Sequence, residues 1–174
     1  DLRFITAWIG LSACCVTSAR NDQTVPNFLP LVQRLTEFDS NKRYYQLLWQ
    51  QYSGPVKELI KNPYVFAPYW EAQRAADSKD NQWRPAFEQS SVAALNCLSR
   101  QRVPELVAIV FDRLYVLQNQ LIQGGATYQG RVNRSQVSHG AAMAEALLAV
   151  TIDIMLEHAD EHWGDLIYPV SDSY

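Results

Sequence analysis

The stretch Pro104-Glu-Leu-Val-Ala-Ile-Val-Phe-Asp-Arg-Leu-Tyr-Val-Leu-Gln-Asn-Gln-Leu-Ile-Gln-Gly-Gly125 decides the fold class of this chain. Leu106, Val107, Val110, Leu114, Leu117 and Leu121 recur at the helical period and fall on one face. Pro104 suits a first helical turn, where its missing N–H costs nothing. Gly124-Gly125 ends the run as a left-handed cap. The pattern predicts a long helix over 104–123 that buries one full face.

Reading outward, Ser135 can cap a last long helix over 136–158. Its apolar positions are Val137, Ala141, Leu147, Leu148, Thr151, Ile152 and Met155. The connection between the two helices is short and Gly-rich, so they are expected to pack antiparallel. Residues 165–174 read as a tail containing Pro169. Toward the N-terminus, residues 4–19 are apolar on nearly all sides and predict a core helix. A helical period covers 28–38, and an aromatic helix covers 44–52. Pro55 opens another short helix, which Asn62-Pro63 stops. Residues 71–90 are the most polar stretch and read as an exposed loop with helical ends, followed by a short helix over 92–98. Sustained alternation is missing throughout, so the fold class is all-α, an antiparallel helical bundle forming one domain over 1–174.

The composition fits this picture. The chain has 174 residues, 48% hydrophobic and 19% charged, which excludes disorder and collagen. Seven Gly and eight Pro are too few for a sandwich with a turn every few residues. A net charge of −3 argues against a bulk-basic nucleic-acid binder. The charge is unevenly placed: residues 1–134 hold all 15 Lys and Arg, while residues 135–174 hold none and carry 7 acids. Either an interaction surface or an acidic helix packed on a basic body produces such asymmetry.

Cys14, Cys15 and Cys97 read as reduced, mostly buried thiols of a cytoplasmic protein, since adjacent cysteines bridge each other only with strain. A catalytic cysteine is the sharper alternative and needs a His that only folding could supply. Leu11-Ser-Ala-Cys14 resembles a lipobox, but the apolar stretch before it is short for a signal sequence. No run of 18 apolar residues is present, so no membrane span is expected.

Phosphate loops and nucleophile elbows are missing from the sequence. His158 and His162 stand at i and i+4, close enough on a helix to share a metal. Ala159 occupies the place where a zincin has Glu, and a fourth ligand is wanting, so neither a metal nor any other cofactor is expected. The aromatic group from Tyr44 to Trp70 suits a core better than a base-stacking surface. Arg100, Arg102, Arg113 and Arg131, with Arg134, are candidate phosphate contacts, or partners for the acidic last helix. Arg134 and His139 have R-x4-H spacing. On one phosphodiester, such an Arg stabilises the phosphorane and such a His moves the 2′-OH proton.

Several blocks together resemble a bacterial branch of the HEPN (higher eukaryotes and prokaryotes nucleotide-binding) superfamily. They are Ile109 to Tyr128, Leu47-Leu-Trp-Gln-Gln-Tyr-Ser-Gly-Pro55, Tyr64-Val-Phe-Ala-Pro-Tyr-Trp70, Val132-Asn-Arg-Ser-Gln-Val137 and His162-Trp-Gly-Asp-Leu-Ile-Tyr-Pro169. The resemblance implies an antiparallel bundle that dimerises near its motif helix. It also implies metal-independent ribonuclease ancestry, often in toxin–antitoxin systems or other systems on mobile DNA. The family's motif runs Arg, a polar residue, a few positions, then His. Here the matching positions are Gln118, Asn119 and Gln123. Glutamine has neither a cation nor a proton that titrates near neutrality, so the resemblance implies a silent, pseudo-ribonuclease site. The expected function is a homodimer that binds RNA, a nucleotide or a protein partner. The alternatives are an active ribonuclease using Arg134 and His139, and a purely structural protein.

Overall fold

The computed structural model describes residues 1–15, 27–75, 83–123 and 134–164. Among these residues the chain is helical throughout, with no strand. The helices are α1 (Leu2–Cys15), α2 (Leu29–Phe38), α3 (Arg43–Tyr45), α4 (Ser53–Lys61), α5 (Ala67–Arg74), α6 (Trp83–Ser99), α7 (Val103–Ile122) and α8 (Arg134–Glu157). A π-helical turn, Gln46–Gln51, continues α3, and a 3-10 turn, Pro63–Val65, precedes α5. The all-α expectation therefore holds.

The helix read over 104–123 is the central element. Eight apolar side chains of α7 are buried, along with Arg113, Gln118 and Gln120. Its stripe joins side chains of α1, α2, α4, α6 and α8 in one contiguous core. Phe28 sits edge-on to Phe111 at 5.4 Å, and Trp8 lies 6.1 Å from Tyr115.

α8 packs most extensively on α1, and these two helices run parallel. Asp1 meets Arg134, Phe4 lies beside Gly140, and Gly10 lies beside Leu148. Antiparallel packing is thus not the rule for the largest helix pair. The two helices lie at opposite ends of the sequence, so no short loop constrains their direction. α7 meets α8 at Gly140, where the missing side chain admits Leu117 and Leu114.

α1 differs from the core helix expected over 4–19. Phe4, Ala7, Trp8 and Leu11 are buried, while Leu2 and Ile9 are 70% and 64% exposed. One face is core and the other is apolar and open. By length and composition α8 is apolar enough to cross a bilayer, beyond what the sequence reading allowed. In this fold its inner face, including Val137, Ala144, Leu147 and Ile154, is spent on the bundle.

The helical ends expected for the polar stretch 71–90 are present, and its middle, 76–82, lies outside the described residues. α5 covers its start, and α6 begins at Trp83, so the short helix read over 92–98 is the second half of a longer one. Pro85 sits in the first turn of α6, where it is tolerated. The helix ends when Gln101 takes a left-handed conformation and the Arg102 N–H reaches back to the Cys97 carbonyl at 2.9 Å. The expected Gly124-Gly125 cap and the tail from Asp165 lie outside the described residues.

The charge asymmetry closes on itself. The acidic end of the chain pairs with arginines of the first half: Arg3 with Glu145, Arg43 with Glu157 at 2.7 Å, and Arg34 with Glu161 at 3.0 Å. These partners are not the arginines that flank α7. Arg43 also donates to Asp39 at 3.1 Å, which ties the α2–α3 corner to the end of α8.

Candidate functional site

Gln118 and Asn119 lie near the end of α7, and Gln123 is the residue that follows it. Gln118 is buried, Asn119 is half-buried and Gln123 is exposed. The buried Gln120 between them donates its amide N–H to the Tyr64 carbonyl, which also accepts from Trp70 Nε1 at 2.7 Å. These amides anchor α7 to the segment before α5. None of the three motif-position side chains can carry a positive charge or serve as a base at neutral pH.

Arg134 and His139 stand five residues apart on α8, which turns them about 140° from each other at 3.6 residues per turn. Arg134 is held by Asp1, with Nη1 at 2.8 and 3.0 Å from the two carboxylate oxygens. His139 Nδ1 lies 3.2 Å from Glu58 Oε2 on α4. The structure gives these residues separate partners and does not bring them together. The His139–Glu58 contact joins residues 81 apart, and no local pattern announces it.

The candidate phosphate contacts separate too. Arg100 and Arg102 are exposed at the α6–α7 turn, and Arg131 lies outside the described residues. Arg113 is 3% exposed, so it is not part of an open basic footprint. Its guanidinium lies 4.6 Å from the Phe66 ring and 5.7 Å from Phe87. Nη2 donates to Ser90 Oγ at 2.9 Å, and Nη1 reaches the Val65 carbonyl at 3.4 Å. No carboxylate lies within ion-pair distance of it among the described residues.

No protein-family model, curated protein or solved structure matches this chain. The site therefore rests on its own chemistry. A cavity of about 180 Å³ opens beside Arg113, between α7, α6 and the start of α5. Asp112 stands on its rim. The carboxyl keeps a solvent-facing edge, yet the surrounding protein displaces enough water to push it up to about 6, against a smaller opposing pull from Arg113. The same desolvation lowers Arg113 to about 10, which leaves it a cation at neutral pH. The signal available in sequence was Asp112-Arg113 itself, a charged pair in the middle of an apolar helix. What it could not show was that Phe66, Phe87 and Ser90 close around the guanidinium.

The two histidines near the C-terminus do not share a helical face. α8 ends at Glu157, so His158 and His162 follow it in a turn. The His158 ring packs on Phe38 at 4.6 Å, and its carbonyl accepts from Trp163 Nε1 at 2.9 Å. The described residues contain no group of three or more His, Cys, Asp or Glu placed to hold a metal. No disulfide joins Cys14, Cys15 or Cys97. Burial pushes the Cys14 and Cys97 thiols up, the opposite of what a thiolate nucleophile needs.

Proposed function

We propose that this protein is a HEPN-like helical bundle whose ribonuclease site is silent, and that it works as a homodimer that binds RNA. The observation that carries the reading is the motif position on α7. The amides of Gln118, Asn119 and Gln123 stand there, and the nearest alternative pair, Arg134 and His139, is committed to Asp1 and Glu58. Cleavage through a 2′-OH needs a proton acceptor and a group that stabilises the phosphorane, each worth roughly 10²-fold or more in rate. Two helix relationships support the HEPN-like arrangement. Phe4 and Leu117 share the layer at Gly140, and Trp8, a turn further along α1, meets Tyr115. That order supports reading α7 as antiparallel to α1 and to α8.

Association is supported by apolar surface. Leu2 and Ile152 are exposed beside a groove of about 550 Å³ between α1 and α8, and Ile9 and Leu156 are exposed on the same two helices. Exposed apolar surface of this kind marks contact sites. Gln118 is covered by its own chain, so a dimer contact at the motif helix would use Gln123 and Ile122, which is 61% exposed.

Sequencing of nucleic acid retained by the purified protein, together with light scattering, tests the proposal. RNA bound to a species of twice the chain mass supports it. A monomer free of RNA at micromolar concentration counts against both parts.

A further inference from the structure

Arg113 is a buried cation whose compensation is incomplete. Two hydrogen bonds and two aromatic rings serve a group that has five N–H donors. Leaving a charge in such surroundings without an opposite charge is costly. Ser90 Oγ accepts from Arg113, and its own proton has no acceptor among the described residues. Both groups border the same cavity, which Asp112 also lines and whose remaining walls are apolar, among them Phe66, Pro68, Ile109 and Val116. A guanidinium and a hydroxyl donor therefore meet at one side of a hydrophobic space. The volume is below the roughly 300–1,000 Å³ typical of sites for drug-sized ligands, so the space excludes a whole nucleotide.

The geometry points to a binding site for a small monocarboxylate with a compact apolar body, whose carboxylate is held by Arg113 and the Ser90 hydroxyl and whose body lies against Phe66, Pro68, Ile109 and Val116. Guanidinium and carboxylate match in shape and charge. A phosphate dianion would bring more charge than one cation and one hydroxyl can meet, beside the Asp112 carboxylate that also lines the space. Asp112 on the rim tunes entry, because its carboxylate repels an incoming anion. This site is separate from the amides at the end of α7 and does not depend on the proposed RNA-binding role.

Titration of the full chain with benzoate, followed by NMR, tests the inference. Saturable binding is expected. Benzamide, which has nearly the same shape without the charge, should bind about tenfold more weakly or worse. Ser90→Ala should weaken benzoate severalfold, and Ile109→Trp, which fills the cavity, should abolish it. Asp112→Asn should tighten it. Arg113→Met should abolish it, and if that variant fails to fold, Ser90→Ala and Ile109→Trp still decide, since both keep the guanidinium. Equal affinity for benzoate and benzamide would overturn the site. So would an unchanged titration in Ile109→Trp, or no saturable binding of benzoate at millimolar concentration.

Discussion

The hydroxyls of Tyr44 and Thr151 lie 2.8 Å apart, and neither side chain is exposed to solvent. Thr151 gives its proton to the Leu147 carbonyl at 2.8 Å, so Tyr44 is the donor in the pair. Burial raises the Tyr44 phenol, which keeps the proton in place. This bond links the start of α3 to the middle of α8 across 107 residues. Tyr44→Phe should lower stability by about 1 kcal/mol in urea denaturation, the usual worth of such a bond. Because the partners act as a pair, adding Thr151→Val should cost less than the two single changes summed. Full additivity would mean the bond contributes nothing.

Gly140 and Gly10 should respond oppositely to alanine. A Cβ at Gly140 would come within 3.0 Å of Leu117 and 3.3 Å of Phe4, both fully buried, with Leu114 at 3.5 Å. Alanine gains up to about 1 kcal/mol of helix propensity. Overpacking a fixed core costs typically 1–3 kcal/mol, and here it wins. At Gly10 the added Cβ meets only the end of Leu148, a half-buried side chain that borders the open α1–α8 groove. That side chain can turn away, so Gly10→Ala should be neutral or slightly stabilising. Matching thermal shifts for the two variants would contradict this packing.

The raised Asp112 carboxyl sets a pH dependence. Its folded value of about 6 exceeds the usual unfolded value of roughly 3.9, so the folded state binds the proton more tightly. This contribution is full below about pH 4 and is lost as pH rises through about 6. Asp112→Asn removes the penalty, and the variant should gain on the parent between pH 4 and 7. Because the carboxyl keeps contact with solvent, the gain should be a few tenths of a kcal/mol up to about 1. A stability difference that is flat from pH 4 to 7 would show that Asp112 ionises as freely in the folded chain as in the unfolded one.

Much of the fold is legible in sequence because α7 has an unbroken apolar stripe from Leu106 to Leu121. α6 is not legible, because only Ala94 and Cys97 are fully buried along its 17 residues. Its first half shows a polar face, while Trp83 and Phe87 turn inward toward Tyr69 and Phe66. The π-helical turn, closed by the Tyr52 N–H on the Leu47 carbonyl at 2.9 Å, has no sequence signature. The candidate site was half legible. Gln118, Asn119 and Gln123 could be read as amides where chemistry would need charge. The burial of Gln118 and Arg113 follows from packing between distant segments, which no local pattern encodes.

Burial also separates the two glutamines as engineering targets. Gln118→Arg places a cation in a position only 8% exposed, with no carboxylate provided for it. It should destabilise the chain by several kcal/mol. Gln123→His lies on the exposed end of α7 and should leave the melting temperature within a degree or two. Equal tolerance of the two changes would show that α7 presents Gln118 to solvent.

The central claim is that no ribonuclease chemistry remains in this chain. The most direct measurement is cleavage of a single-stranded RNA by the purified protein in the presence of a chelator, with His139→Ala run beside it. The account predicts no cleavage above background in either sample. Chelator-resistant cleavage that disappears in His139→Ala would contradict it, and would place the active site at Arg134 and His139.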